Sequence, residues 1–254
     1  MHKAYSLNFT LKTDNKYLQI GKALYSHMKD SIDGNLASFY SNGKLDGTKL
    51  SETWFPQISA DIFISHSHKD FDTALDLAGW LYDKLGIVCF IDSCVWGYAD
   101  DLLEAIDNKY CKNSDGSYNY KTRNFSTAHV HMMLTVALSR MINNCECLFF
   151  LNTPNSILPD NSVKDKTLSP WIYTERSMIS LIKERLPSEH RVVHENFSKS
   201  MDSLKIAYEL DSDLPDLPIE QIARWVNHNF KNKYQALDYL YKYLGSIGSN
   251  VIYG

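Results

Sequence analysis

A glutamate interrupts the apolar face of a predicted helix in the C-terminal half of this chain. Over residues 168–182 the sequence LSPWIYTERSMISLI places Ile172 and Ile179 on one helical face, and Glu175 lies between them. Trp171 precedes the glutamate by one turn, so the two side chains share a face. A carboxylate can stabilise positive charge that develops during a reaction, and an indole can present its π-face to a cationic ring. We therefore expect this part of the helix to line a pocket rather than the core.

A structural role for the same carboxylate is the competing interpretation. Glu175 could instead be a partly buried acid that forms an ion pair with an arginine such as Arg123 or Arg140. Trp171 could pack in the core and flank a pocket at the same time. The spacing W-x-x-x-E does not separate these interpretations by itself, because five tryptophans in one chain produce it readily by chance.

Strand and helix patterns alternate from residue 60 onwards and must position these residues. The short apolar runs ADIFIS, IVCFID and ECLFFLN predict three buried strands. Helices are predicted over FDTALDLAGWLYDKLG, which Gly86 should end, and over STAHVHMMLTVALSRMINNC, which Ser126 or Thr127 should cap. Between them, SCVWGYAD is expected to form a loop before a short helix, DLLEAID. This alternation is typical of an α/β fold, a flavodoxin-like open parallel sheet with helices on both faces.

The chain is predicted to consist of a polar extension and one main domain. Residues 1–59 form the N-terminal extension, with a helix in NKYLQIGKALYSHMKDSI, and the domain covers residues 60–254. Within it the core spans 60–210 and closing helices occupy 218–245. Residues 108–125 are polar, rich in tyrosine and without periodicity, so we interpret them as a surface insertion. HRVVHENF and LKIAYEL predict two further strands.

Polar side chains follow the predicted strands at their carboxyl ends, where open parallel sheets bind ligands. His66 and Ser67 follow the first strand, and Asp92, Trp96 and Tyr98 follow the second. His66 is expected to donate a hydrogen bond to a phosphate or to neighbouring backbone, and Asp92 either contacts a ribose or ends a turn. The H-x-H sequence that begins at His66 has no further ligands in matching context, so we expect no metal.

Composition and charge exclude several classes of function. The net charge is −4 and the pI is about 6.1, with basic residues scattered, so no nucleic-acid or membrane-surface partner is expected. No apolar stretch of about 18 residues occurs, and the N-terminus lacks the apolar region of a signal peptide. Five cysteines without a C-x-x-C spacing favour reduced thiols and a cytoplasmic location. Glycine-rich nucleotide loops and G-x-S-x-G are absent, which argues against dehydrogenases, P-loop NTPases and serine hydrolases.

Four motifs in succession resemble those of a Toll/interleukin-1 receptor (TIR) domain over roughly residues 60–210. They are DIFISHSHKD, GIVCFIDSCVWGYADDLLEAI, CLFFLNTPNS and SPWIYTE. In that family the second strand is followed by the BB loop, and in enzymatic members the helix after the third strand carries a W-x-x-x-E motif with a catalytic glutamate. The resemblance implies that Glu175 is this glutamate and Trp171 its partner. It also implies that a BB loop containing Trp96 and Tyr98 shapes the pocket.

For enzymatic TIR members the resemblance implies cleavage of the nicotinamide–ribose bond of NAD⁺, which is then a substrate and not a cofactor. Most glycoside hydrolases need a second carboxylate as acid for the leaving group. Nicotinamide leaves NAD⁺ as a neutral molecule, so one carboxylate that stabilises the oxocarbenium ion suffices. Without a receptor module, the chain is similar to bacterial antiviral signalling proteins of the Thoeris type. These convert NAD⁺ into a cyclic or other ADP-ribose messenger that a partner effector senses, and the family often self-associates.

Two other functions fit the same sequence features. Receptor-adaptor TIR domains are non-enzymatic scaffolds that act by self-association, and in such a protein Glu175 would be structural. An N-glycosidase resembling nucleoside 2-deoxyribosyltransferases, acting on another nucleotide, is the third possibility.

Overall fold

The computed structural model describes residues 1–8, 15–29, 36–41, 44–91, 93–157, 166–167, 169–182, 184–191, 208–209 and 214–244. Its strands are β1 Lys3–Leu7, β2 Tyr40–Ser41, β3 Lys44–Leu45, β4 Ile62–Ser65, β5 Cys89–Ile91, β6 Cys147–Leu151, β7 Lys166–Thr167 and β8 Tyr208–Glu209. Four of them form a parallel sheet in the order β1-β6-β4-β5, whereas β2 pairs with β3 and β7 with β8 in short antiparallel ladders.

Helices cover both faces of this sheet. They are α1 Asn15–Lys29, α2 Gly47–Trp54, α3 Phe71–Leu85, α4 Ser93–Tyr110, α5 Tyr120–Asn144, α6 Pro170–Leu181, α7 Pro187–His190, α8 Ile219–Val226 and α9 Lys233–Tyr243. Short 3₁₀ turns occupy Leu36–Phe39 and His68–Asp70. No helix among the described residues combines the length and the apolar character needed to cross a bilayer.

Alternate residues of the strands point to opposite faces of the sheet and pack into two separate hydrophobic cores. In β4, Ile62 and Ile64 pack with α3, α8 and α9, whereas Phe63 points to the opposite face and packs with α2, α4 and α5. Both cores are fully buried around these side chains. The predicted α/β class with a parallel sheet between two helical layers is therefore confirmed, and the arrangement is compatible with a flavodoxin-like fold.

Local signals in the sequence placed several elements correctly. The three predicted strands correspond to β4, β5 and β6, and the two closing helices to α8 and α9. Helix α3 ends at Gly86, whose positive φ of 66° suits a residue without a Cβ. Helix α6 begins at Pro170, where proline suits the first turn, and the side chain of Ser169 caps it by accepting a hydrogen bond from the backbone N–H of Ile172.

The N-terminal extension contributes to the sheet, which the sequence did not predict. We placed the first strand near residue 60, but β1 already pairs with β6, with Tyr5 opposite Phe149. Helix α1 packs on α3 so closely that a Cβ on Gly21 would lie 1.9 Å from the carbonyl oxygen of Leu75. The sequence of this strand, KAYSL, gives no clear strand signal, because a lysine and a serine interrupt its apolar residues.

Two predicted boundaries in the middle of the chain are wrong. The segment SCVWGYAD is helical and opens α4, because Ala99, Leu102 and Ile106 form one continuous buried stripe. Helix α5 starts at Tyr120, and Asn119 caps it. The predicted cap, Ser126, lies inside the helix and donates its hydroxyl hydrogen to Asp107. The predicted insertion at 108–125 therefore shrinks to the connection 111–119, in which Cys111 is buried and residues 112–119 are exposed.

The two late strands lie largely outside the described residues. Of HRVVHENF, only His190 and Arg191 are described, and His190 ends α7. Of LKIAYEL, Tyr208–Glu209 forms β8 beside β7, and the rest lies outside the described part of the chain.

Candidate active site

The carboxylate of Glu175 lies buried at the carboxyl end of a central strand. Its side chain is 1 % exposed, and the hydroxyl of Ser65, the last residue of β4, donates a hydrogen bond of 2.6 Å to its Oε2. Ser65 is equally buried, so water does not compete for this bond. The alternative ion pair with Arg123 is not formed, because that guanidinium binds Asp107 at 2.8 Å. Arg140, the other alternative, lies beside Glu52 and Met132 around a separate shallow cavity.

A cavity of about 510 Å³ opens next to this pair. Trp171, one turn before Glu175, belongs to its wall, as does Ser67, two residues after Ser65. The Ser65–Glu175 pair therefore lies beside that wall, although the carboxylate itself is covered. The full lining consists of Tyr25, Ser67, His68, Phe71, Ser93, Ala99, Asp100, Leu103, Val130, His131, Leu134, Ser169 and Trp171.

Two flat rings from neighbouring helices stack in the wall of this cavity. The imidazole of His131 on α5 lies 5.4 Å from the indole of Trp171 on α6, and their planes differ by 15°. The stack gives the cavity an aromatic surface that suits a planar cationic ring. Sequence reasoning missed His131, because two histidines that are two residues apart on a helix, His129 and His131, point in different directions. Nothing in the local pattern indicated which of them faces α6.

His66 occupies a different position from the one expected of a phosphate ligand. Its side chain is fully buried and does not line the cavity. Its Nε2 lies 3.2 Å from the hydroxyl of Ser93, and its ring stacks on Phe71 at 6.0 Å between ring centres. His66 thus joins the end of β4 to the first residue of α4. Among the residues predicted after the first strand, Ser67 is the one that reaches the cavity.

The three site residues predicted after the second strand have side chains outside the described part of the structure. Asp92 lies outside the described residues. Trp96 and Tyr98 belong to α4, but their side chains also lie outside the described part. Their roles in shaping a pocket therefore stay predictions. Ser93 and Asp100, from the same segment, do line the cavity.

A hydrogen-bond network that the sequence did not reveal fixes the loops around the cavity. Asp70, which is 9 % exposed, accepts a hydrogen bond of 2.6 Å from Thr153 and one of 2.8 Å from Asn155. These bonds tie the loop after β6 to the start of α3. Thr167 donates to the carbonyl oxygen of Ser156, which connects the same loop to the segment before α6. The network thus positions the helix that carries Glu175 relative to the ends of the strands.

Comparison of the chain with models of known protein families, with curated proteins and with solved structures finds no match. The chemistry of the site is therefore inferred from its own geometry.

The arrangement provides three of the features that a small-molecule site requires. The cavity volume lies within the range of about 300–1,000 Å³ that is usual for ligand pockets. Apolar side chains such as Leu103, Val130 and Leu134 exclude water from one side. The aromatic stack borders the cavity, and the buried Glu175 carboxylate lies behind its wall, one helical turn from Trp171, so the site suits a ligand in which positive charge is present or develops.

Proposed function

We propose that this chain is a TIR-type NAD⁺ glycohydrolase or ADP-ribosyl cyclase that cleaves the nicotinamide–ribose bond, with Glu175 as its catalytic residue. One observation carries the proposal. The carboxylate of Glu175 is buried against Ser65 at the carboxyl end of a parallel strand, one turn from an indole that lines a cavity of about 510 Å³. A carboxylate in this position is suited to an electrostatic role near a bound ligand.

In the proposed reaction the aromatic stack binds the nicotinamide ring and the carboxylate of Glu175 stabilises the ribose. The nicotinamide ring, which is cationic in NAD⁺, packs against the aromatic stack that Trp171 forms with His131. When the carbon–nitrogen bond breaks, nicotinamide takes the bonding electrons and leaves as a neutral molecule, so no acid is required. The ribosyl cation that remains is stabilised by the Glu175 carboxylate. Water then completes hydrolysis, or a nitrogen of the adenine ring attacks and closes a cyclic product.

The apolar part of the cavity wall favours one of these two products over the other. Leu103, Val130 and Leu134 line one side of the cavity and limit the entry of water. Exclusion of water favours attack by the adenine over hydrolysis. We therefore propose a cyclic ADP-ribose-type product.

The covered state of Glu175 requires an opening step before the substrate can reach it. In the structure the carboxylate is 1 % exposed, so part of the wall must move. We propose that self-association of the chain drives this opening. A cytoplasmic location, a downstream effector that senses the product and a role in bacterial antiphage defence complete the proposal. These parts rest on the resemblance of the four sequence motifs.

Incubation of the purified protein with NAD⁺, followed by chromatographic separation of the products, tests the proposal. The assay is run over a wide range of protein concentrations, because self-association should increase the rate per chain. Glu175→Gln keeps the shape of the side chain and removes its charge, and nicotinamide release should fall at least about 100-fold. Glu104→Gln, at an exposed position on α4, is the matched control and should leave the rate unchanged.

Two results would argue against NAD⁺ cleavage. Equal inertness of the wild type and Glu175→Gln at the highest concentration, with self-association intact, would favour the scaffold function. Cleavage of other nucleosides in place of NAD⁺ would favour the related N-glycosidase activity.

A further inference from the structure

A second and larger cavity lies between α2, α4 and α5 and shares no lining residue with the first. Its volume is about 640 Å³. The wall is mostly apolar, with Leu50 from α2, Ile106 from α4, and Phe125 and Met133 from α5. The volume and the lining are those of a small-molecule pocket.

Exposed aromatic side chains surround the mouth of this second cavity. Phe125 is 70 % exposed although it lines the cavity, and its ring contacts His129 edge-on at 4.6 Å. Tyr120 is 81 % exposed on the same first turns of α5, and Tyr110 lines the opposite side. Apolar surface that is continuous with a cavity is characteristic of a binding site.

The charges around the mouth favour an anion. Residues 107–123 contain four cationic and two acidic side chains. One of the acids, Asp107, is buried and already neutralises Arg123 at 2.8 Å. The hydroxyl of Ser126 donates its hydrogen to Asp107 at 2.5 Å and so does not offer it to a ligand. Lys121 lines the cavity, and among the described residues no ion pair involves it.

We propose that this cavity binds an apolar small molecule that carries one anionic group. Its apolar body lies between α4 and α5, and its anion lies at Lys121. The proposal is independent of the NAD⁺ chemistry, since it rests on a different set of residues.

Two fluorescent probes with the same ring system test this assignment. Anilinonaphthalene sulfonate is an apolar anion, and N-phenylnaphthylamine is its uncharged counterpart. Both should bind once per chain and saturably, and the sulfonate should bind about two- to fivefold more tightly, as one exposed ion pair allows. Lys121→Gln, at an exposed position, should abolish this advantage and leave the binding of N-phenylnaphthylamine unchanged.

A substitution that fills the cavity provides the second arm. A Cβ on Gly47 would meet only the terminal methyl of Met133, at 3.4 Å, and both residues line the cavity, so a larger side chain can be placed at this wall and takes up part of its space. Gly47→Leu should weaken both probes at least about tenfold. Leu103→Trp fills the Trp171 cavity instead and should leave both probes bound as in the wild type.

Three results would overturn the assignment. One is unchanged binding of both probes to Gly47→Leu and Lys121→Gln. Another is loss of binding in Leu103→Trp with full retention in Gly47→Leu. The last is a stable dimer in sedimentation that excludes the probes and dissociates on Phe125→Ser, because a second copy would then cover the surface. If Gly47→Leu fails to fold, the charge comparison at Lys121 decides alone.

Discussion

Removal of one hydroxyl group measures how firmly the structure holds the Glu175 carboxylate. In Ser65→Ala the 2.6 Å hydrogen bond to Oε2 is lost, and both groups lie in a region that water does not reach. A hydrogen bond to a charged group contributes about 1.5–3 kcal/mol to stability, so we expect the free energy of unfolding to fall by about 2 kcal/mol. For a chain of this length, that loss lowers the melting temperature by about 4–8 °C.

Urea denaturation and thermal unfolding measure this loss directly. Ser180→Ala is the matched control, because its hydroxyl bonds the carbonyl oxygen of Ser177 on an exposed helix face and should contribute within about 0.5 kcal/mol. In a Glu175→Gln background, Ser65→Ala should cost less, since an amide oxygen accepts a weaker hydrogen bond than a carboxylate. The difference between the two backgrounds should be about 1 kcal/mol.

A clear outcome would refute this reasoning. If Ser65→Ala costs no more than Ser180→Ala and its effect is the same in both Glu175 backgrounds, the hydrogen bond does not hold the carboxylate. The site would then lack the fixed negative charge that the proposed chemistry requires. If the expected loss is found, nicotinamide release by Ser65→Ala should also fall, because one of the contacts that orient the carboxylate is lost.

Three further predictions concern other contacts. Ser169→Ala should lower the free energy of unfolding by about 1 kcal/mol in urea denaturation, because it removes the N-cap of the helix that carries the catalytic glutamate. Gly79→Ala should lower the free energy of unfolding by about 3 kcal/mol or more in the same assay, since its Cβ would lie 1.9 Å from the backbone oxygen of Tyr17. Gly116→Ala should lower it by only about 1–2 kcal/mol, because that residue has a φ of 83° but lies in open space. Equal losses in the two variants would contradict this reasoning. Burial, with the nearby N-terminal amine and Arg185, lowers the pKa of His190 from 6.5 to about 4, so the unfolded chain binds this proton first. Stability should therefore be constant well above pH 6.5 with respect to this group and fall as the pH drops towards 4, by about 2 kcal/mol once solvent screening at this half-exposed side chain is allowed for. His190→Asn should reduce this slope in denaturation curves at several pH values.

The sequence predicted those features that depend on residues close together in the chain. The strands β4, β5 and β6 are short apolar runs, and the start of α6 is encoded by Ser169 and Pro170. The same pattern placed Glu175 on the apolar face of its helix, but it predicted a side chain that lines a pocket, whereas the carboxylate is covered and Trp171 alone of the pair belongs to the cavity wall.

The features that were missed depend on distant partners or on mixed sequences. Ser65 and Glu175 are separated by 110 residues, so their hydrogen bond follows from topology and not from spacing. The contact of His131 with Trp171 also needs two helices to be placed side by side. Strand β1 was missed because a lysine and a serine interrupt its short apolar run, although four of its five residues are buried. The start of α4 was missed because its first turns are rich in polar and aromatic residues.

The pairing of β1 with β6 limits how the C-terminal part of the chain can be studied in isolation. A polypeptide that begins at Ala60 would leave the backbone N–H and C=O groups along one side of Cys147–Leu151 without partners. It would also expose the surface of α3 that Gly21 covers. Bare strand edges recruit further copies and promote amyloid-like assembly. Clustering of such a truncated polypeptide would therefore reflect its damaged edge and carry no information about physiological activation.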